Sequence, residues 1–321
     1  MPARRATGEF ALIERFTRAL PLAGEGIRVG AGDDAAVLAP PPGEELVATA
    51  DAVVEGVHFD GQFSPEDVGW KALAVNLSDL AAMGARPLWA LVCLALPPRR
   101  ARDAAGVARG LGACARRYGI AIAGGNVTRA SELSVTITAI GAVQEGRALL
   151  RRGARPGDLV AVTGTLGDAA LGRRPGAPRA LALRQRRPAP RLSAGRALAA
   201  LARAAIDVSD GLVQDLGHLC RASRVGARIG AADVPRSAAY ERLAAREGDP
   251  LLLALAGGED YELVVALPPA NLAAAQAAAR RAGTALTVIG RFVRGRGVRV
   301  VGPRGEPIPL AAGGHDHLRA P

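Results

Sequence analysis

"GAGDDAAVL", residues 30–38, follows the apolar positions Ile27 and Val29 and carries the spacing of a dinucleotide-binding turn. Gly30 and Gly32 fit it, and Ala35 stands where the third glycine can be alanine. Such a turn brings a pyrophosphate against backbone N–H groups at a helix N-terminus. Here the two residues between are Asp33 and Asp34. Two carboxylates need not repel a polyphosphate if metal ions lie between them. That rules out the Rossmann reading, in which pyrophosphate meets backbone amides without a metal.

Further along the chain, acidic residues repeatedly close apolar runs beside glycines or small residues. They are Asp51, Asp207 with Asp210, and Glu259 with Asp260. Asp79 differs, lying near the end of a predicted helix whose second half is almost wholly apolar; Asn76, three residues earlier, shares its face. A carboxylate in that company must be solvated, paired or bound to a cation. Any one of these residues also reads as an N-cap, a turn residue or a salt-bridge partner; together they point to a hard cation. Carboxylates with hydroxyls and carbonyls suit Mg²⁺, held through one or two carboxylates plus substrate phosphates.

The segments between these residues set the organisation. Residues 45–54 read as a strand and 64–84 as a helix, with Ser64 at the N-cap, Pro65 in the first turn and Gly84 closing it. A buried strand (87–97), a helix (102–119) and two strands (120–126, 133–143) follow. A second half begins with a strand and glycine-rich turn (157–172). It continues through helix, strand, turn and helix (197–223), a turn between apolar runs (252–268) and an Ala-rich helix (270–282). The pattern predicts two α+β domains with a boundary near Gly153 to Asp158, and 321 residues are long for a single core. The Arg- and Pro-rich stretch 173–191 reads as a solvated connector.

Composition excludes several classes. The net charge is +11, but 40 of the 41 Lys and Arg residues are Arg, and Lys71 is the only lysine. The skew reads as a coding bias, and the arginines are dispersed with no nucleic-acid-binding motif, so no nucleic-acid partner is expected. With one lysine, in "GWKAL", no phosphate-binding G-x-x-x-x-G-K-[ST] loop exists, and the protein-kinase signatures are missing too. Cys93, Cys114 and Cys220 form no C-x-x-C pair, which argues against disulfides and structural zinc. No uncharged run of about 18 apolar residues would span a bilayer, and the N-terminus does not read as a signal peptide. No membrane association is expected, and the compartment is expected to be the cytoplasm.

Taken together the segments resemble the thiamine-monophosphate kinase family, within the superfamily that includes aminoimidazole-ribonucleotide synthetase. The stretches "GEFALIERF", "GAGDDAAVL", "TADAVVEGVHF", "KALAVNLSDLAAMGARP", "GGNVTR", "RRGARPGDLVAVTGTLGDAALG", "AIDVSDGLVQDLGHL", "GGEDYELV" and "HDH" stand in the family's order over nearly the whole chain. The resemblance implies an aminoimidazole-ribonucleotide synthetase-like two-domain α+β fold. Residues 1–152 would form an Mg-ATP-binding and dimerisation domain, and 153–321 a domain completing the substrate site. It further implies a homodimer whose N-terminal halves form a shared β-barrel, and transfer of the ATP γ-phosphoryl group to thiamine monophosphate with several Mg²⁺ ions.

By position, the metal ligands would be Asp34, Thr49, Ala50, Asp51, Asp79, Asn126, Asp207 and Asp210. Tyr118, Gly125, Asn126, Arg151 and Ser209 would contact ATP, and His58, Glu259 and His315 the thiamine phosphate. Because the acceptor is already an ionised phosphate, no essential general base is expected. Ala50 stands where the family often has Thr, so it could offer only its carbonyl. Asn126 stands where some members have Asp, and His315 where an aromatic is common. The competing readings are another ATP-using enzyme of the superfamily and a non-catalytic Mg-nucleotide-binding regulator; retention of the aspartates argues against the latter.

Overall fold

The computed structural model describes residues 9–244 and 251–309. The chain forms two compact units, Met1–Leu80 with Arg86–Gly146, and Ala81–Ala85 with Arg147–Pro321.

The first unit contains α1 (Glu9–Thr17), a hairpin of β1 (Ile27–Val29) and β2 (Val37–Leu38), β3 (Glu44–Val54), α2 (Pro65–Ala82), β4 (Arg86–Leu96), α3 (Ala104–Tyr118), β5 (Ala121–Arg129) and β6 (Ser134–Gln144). The last residues of α2 group with the second unit. The turn 30–34 therefore joins two short strands and opens no helix. Its aspartates are exposed, as the rejection of the dinucleotide fingerprint requires.

A four-stranded sheet in the order β3-β6-β4-β5 carries the unit, antiparallel except where β4 meets β5. α2 starts as its sequence predicts. The Ser64 hydroxyl accepts the Asp67 N–H at 3.2 Å, and Asp67 Oδ2 accepts the Ser64 N–H at 3.3 Å, a reciprocal cap. With 3% aromatic residues in the chain, the helices pack on small side chains. A Cβ at Gly69 would lie 1.9 Å from the Val107 carbonyl oxygen, and one at Gly110 would lie 1.8 Å from that of Glu66. α2 and α3 thus meet backbone to backbone, which only glycine permits.

The second unit contains β7 (Leu159–Thr163), α4 (Asp168–Gly172), α5 (Arg179–Arg186), α6 (Leu192–Leu198), β8 (Ala204–Asp207), α7 (Leu212–Ser223), β9 (Gly226–Gly230), α8 (Ala238–Ala244), α9 (Leu252–Ala256), β10 (Leu263–Leu267), α10 (Leu272–Arg281), β11 (Leu286–Val293) and β12 (Gly297–Val301). Its six strands run β12-β9-β11-β7-β10-β8. β7 and β10 are buried at every residue. Val160, Val162, Val264 and Ala266 face one apolar cluster with Leu212, Leu216 and Leu255. Leu159, Ala161, Val265 and Leu267 face the other, with Leu198, Ala275 and Ala279. Helices cover both faces, so the strands read as unbroken apolar runs rather than alternations.

The stretch 173–191 is not the solvated connector its composition suggests. It contains α5, which buries Leu181, Ala182 and Gln185, and it ends at Arg191, which forks onto the buried carboxylate of Glu262. The arginines line the outer side of a short amphipathic helix, and their number hides its apolar stripe.

Candidate active site

In the first unit, β3 and α2 build the site together. Thr49 and Asp51 are two residues apart on β3 and share a face of the strand. Asn76 and Asp79 are three apart on α2 and share a face of the helix. The two faces meet. The Thr49 hydroxyl donates to Asp79 Oδ2 at 2.6 Å, and Asn76 Oδ1 accepts the Asp51 N–H at 3.0 Å. Asn76 is fully buried and anchored in turn by its side-chain amide, which donates to the Ala72 carbonyl at 3.0 Å. The carboxylate in an apolar helix has thus found a hydroxyl partner on the neighbouring strand.

His58 follows β3 and is fixed locally: the Val54 N–H donates to its Nδ1 at 3.1 Å, and its own N–H donates to the Val54 carbonyl at 2.9 Å. With Nδ1 accepting, the proton of the neutral ring sits on Nε2. Lys71 of α2 donates from Nζ to the His58 carbonyl at 2.9 Å. Lys71 lies eight residues before Asp79, about 12 Å along the helix axis. Tyr118 ends α3 with its ring edge-on to Trp70, centroids 6.2 Å apart, about 13 Å along the helix from Asp79.

Gly125 and Asn126 lie on β5, the edge strand opposite β3. The register aligns Asp51, Ile137, Val92 and Gly125 in one row across the sheet, and Ala52, Thr136, Cys93 and Asn126 in the next. Asn126 and Asp51 therefore occupy opposite edges, about 14 Å apart, in rows that face opposite ways. A single chain does not bring them together. A Cβ at Gly125 would sit 1.9 Å from the Val92 carbonyl oxygen, so strand packing alone requires glycine there. Ala50 is exposed on β3, and Asp34 is exposed in the turn between β1 and β2.

In the second unit, Asp207 ends β8 and is buried, and the loop after it is held tightly. Asp215 Oδ2 accepts the N–H groups of Ser209, Asp210 and Gly211 at 3.0, 3.0 and 3.1 Å. Gln214 donates to Asp210 Oδ2 at 3.2 Å. From the other side the Glu259 N–H donates to the Ser209 carbonyl, and the Tyr261 N–H to the Val208 carbonyl, both at 2.8 Å. Burial pushes the Asp215 carboxyl up to about 7, helped by the Asp210 charge, while the three amides act against it.

Arg151 is exposed, and its charge acts on His218 of α7. Burial first, then Arg221 and Arg151, lower the His218 pKa, and Asp210 opposes them. Arg151 and Asp210 thus each lie within electrostatic reach of His218. Arg221 Nη2 contacts His218 Nδ1 at 2.9 Å, and a guanidinium can only donate, so Nδ1 accepts here too.

The "GGEDYEL" turn holds the remaining predicted residue. Glu259 and Tyr261 adopt φ of 69° and 51°, left-handed values that are uncommon outside glycine. Glu259 Oε2 accepts from Gln185 of α5 at 3.3 Å and lies 3.8 Å from Arg173. Asp260 is half-buried and accepts the N–H groups of Gly167 and Ala169 at 2.7 and 3.3 Å. Burial holds its carboxyl well above the ordinary range against those two amides. His315 lies outside the described residues. Among the described residues no group of three or more His, Cys, Asp or Glu side chains forms a ready metal cage, and no helix is long and apolar enough to cross a membrane.

Asp215, Gln185 and Lys71 are the residues that sequence reasoning missed. Each looks like an ordinary helical residue, and each acts through a contact the sequence does not display.

The chain belongs to a known class. Residues 32–143 match the AIR synthase related protein N-terminal domain, and 155–302 match the C-terminal domain of the same class. The thiamine-monophosphate kinase of Escherichia coli K12 is 40% identical over 326 residues, covering 98% of this chain and all of that protein. The crystal structure of thiamine-monophosphate kinase from Stenotrophomonas maltophilia is 43% identical with a TM-score of 0.84, over 94% of this chain and 98% of that one. AaThiL complexed with AMPPCP and TMP is 30% identical with a TM-score of 0.74, over 96% and 97%. The chain belongs to the thiamine-monophosphate kinase family of AIR synthase related proteins.

Proposed function

We infer that the chain catalyses ATP-dependent phosphorylation of thiamine monophosphate, giving thiamine diphosphate and ADP. The observation that carries this is its nearly full-length match, at 40% identity, to a thiamine-monophosphate kinase. A structural relative binds AMPPCP, whose bridging methylene blocks γ-transfer, together with TMP.

The family implies Mg²⁺, and the donors fit a hard cation. They are all oxygens, and a hydroxyl and a carboxylate from two different elements converge to 2.6 Å at Thr49 and Asp79. Mg²⁺ needs only one or two protein carboxylates when substrate phosphates supply the rest. Asp34, the Thr49 hydroxyl, the Ala50 carbonyl, Asp51, Asp79 and Asn126 would serve in the first unit, and Asp207 and Asp210 in the second. The bound ions would supply charge neutralisation between two anions. The chain's own residues bind and orient. Tyr118, Gly125, Asn126, Arg151 and Ser209 would contact ATP, with Arg151 offering a fixed cation to its phosphates. His58, through its Nε2–H, and Glu259 would contact thiamine monophosphate, with His315 beyond the described residues.

No side chain needs to take a proton. The acceptor phosphate has a second pKa of about 6 and is largely ionised at pH 7. Transfer is direct and in line, with inversion at phosphorus; net retention at a chiral γ-phosphorus would refute it. A homodimer sharing a β-barrel is supported by the sheet of the first unit. Among the described residues no further strand pairs with its edges β3 and β5, and Ala50, Cys93, Thr136 and Asn126 are exposed on one face. Closing two such sheets edge to edge would bring Asn126 of one copy toward the β3 edge of the other.

The deciding assay is coupled ADP release with thiamine monophosphate, unphosphorylated thiamine and an aminoimidazole precursor as competing acceptors. Turnover is expected with thiamine monophosphate alone; preference for either other acceptor overturns the assignment.

A further inference from the structure

Ser223 closes α7 and is half-buried. A serine in a helix commonly turns its hydroxyl back onto a carbonyl of that helix. The hydroxyl has one hydrogen to donate and two lone pairs with which to accept. Ser223 commits all three to a single segment 69 to 72 residues earlier in the chain. Its Oγ donates to the Arg151 carbonyl at 3.1 Å and accepts the N–H groups of Gly153 and Ala154, each at 3.1 Å.

That segment is bent to meet it. Gly153 has a φ of 128°, which suits glycine, and a Cβ there would lie 2.5 Å from the Arg203 carbonyl oxygen. On the preceding side, the Ala205 N–H of β8 donates to the Leu150 carbonyl at 3.1 Å. Asp207 ends the same strand two residues on. The backbone of Arg151 is therefore held between β8 and the last residue of α7, the two elements that flank the loop of Ser209 and Asp210.

Arg151 is exposed, so its long side chain takes its place from the backbone beneath it rather than from packing. Its charge is felt at His218, five residues before Ser223 and about 7.5 Å back along the helix axis. The backbone is anchored at the C-terminal end of α7, and the charge acts further back along the helix, toward Ser209 and Asp210.

We propose that Ser223 is a positioning residue for the nucleotide: its hydroxyl clamps the backbone at Arg151, Gly153 and Ala154 and so holds the Arg151 guanidinium where it meets the ATP phosphates. This rests on the reading that Arg151 contacts ATP. Removing the hydroxyl frees the segment while leaving the Ser209–Gly211 loop on Asp215. The effect therefore falls on ATP and spares thiamine monophosphate.

The test is a double-mutant cycle between Ser223 and Arg151. Ser223→Ala and Ser223→Thr are made in the natural protein and in an Arg151→Gln background, with KM for each substrate, kcat and melting temperature measured. The His218 ring titration, followed by proton NMR without nucleotide or metal, reads the position of the Arg151 charge independently of ATP. Arg221 and Asp210 also act on that ring, and neither is altered in any of these variants. Ser223→Ala is expected to raise the ATP KM about tenfold, because a displaced guanidinium loses its aligned bonds to phosphate. The thiamine monophosphate KM should stay within about twofold. The His218 pKa should rise in Ser223→Ala in the same direction as in Arg151→Gln. In the Arg151→Gln background Ser223→Ala should change neither the ATP KM nor the His218 pKa. Ser223→Thr keeps the hydroxyl and should behave as the natural protein in both. Equal effects in the two backgrounds, parallel rises in both KM values, or Ser223→Thr behaving as Ser223→Ala would overturn the proposal. If Arg151→Gln alone leaves the ATP KM unchanged, the ATP reading of Arg151 fails. The His218 titration then decides on the clamp by itself, and a natural His218 pKa in Ser223→Ala overturns it.

Discussion

Asp215 offers the sharpest test of the second unit's site, because one carboxylate oxygen organises three consecutive amides there. Oδ2 accepts from Ser209, Asp210 and Gly211 at 3.0–3.1 Å. Of these residues only Gly211 is buried; Ser209 and Asp210 are half-buried, so water can replace their lost partner. In Asp215→Ala one buried N–H is then stranded at about 1–3 kcal/mol, and two partly wet ones lose less. A total of about 2–4 kcal/mol follows, a large share of the usual 5–15 kcal/mol of a domain. Asp215→Asn is the cleaner variant. Its amide oxygen can still face the three N–H groups, and with the carboxyl pushed up to about 7 only part of a charge-assisted bond is lost, at most about 1 kcal/mol. That corresponds to a fall in melting temperature of roughly 2–4 °C for a unit of this size. The functional cost should be larger than the structural one. A misplacement of about 1 Å in a reacting geometry can cost about 10²-fold, and Ser209 and Asp210 are the loop residues proposed to meet ATP and metal. Asp215→Asn is therefore expected to lower kcat/KM for ATP about 10- to 100-fold while remaining folded. Steady-state kinetics across an Mg²⁺ titration, with thermal melts of the same preparations, measure both. Natural kinetics in a folded Asp215→Asn protein would refute the reasoning.

The remaining predictions follow from the other contacts. Asp79→Asn keeps an acceptor for the Thr49 hydroxyl, and Asp51→Asn leaves its backbone bond to Asn76 untouched, so both should fold. Each is expected to lower turnover about 10²-fold or more at saturating Mg²⁺, the cost of removing one electrostatic group from such a site; near-natural rates in both would sink the metal assignment. Cys93→Arg places a guanidinium on the exposed face of the first unit's sheet, and a closed barrel would bury two of them. The affinity of the proposed homodimer should fall by several kcal/mol, and sedimentation equilibrium showing the same association as the natural protein would exclude that face. Desolvation raises the pKa of Asp260 in the fold, so between about pH 4 and its native value the folded protein holds a proton that the unfolded chain has released. Its contribution to stability is thus full at acid pH and declines as pH rises through that window. Urea melts at pH 5 to 8 should show a shallower decline for Asp260→Asn than for the natural protein, and parallel slopes would contradict this.

What the sequence made legible was local. The start of α2 could be read from Ser64, Pro65 and Asp67, because a cap is made by neighbours within one turn. The shared face of Asn76 and Asp79 followed from helical spacing, and so did the need for a partner: a carboxylate among apolar residues must be satisfied somewhere. Which partner it takes was not legible, since Thr49 lies thirty residues away on a strand whose register only the folded sheet fixes. The same limit explains Asn126. Motif order places it beside Asp51 in function, yet the strand order puts the two on opposite edges, a separation no spacing along the chain encodes. Composition misled where it was most extreme. The arginines of 173–191 concealed a helix whose Gln185 reaches Glu259 and whose Leu181 sits in the core.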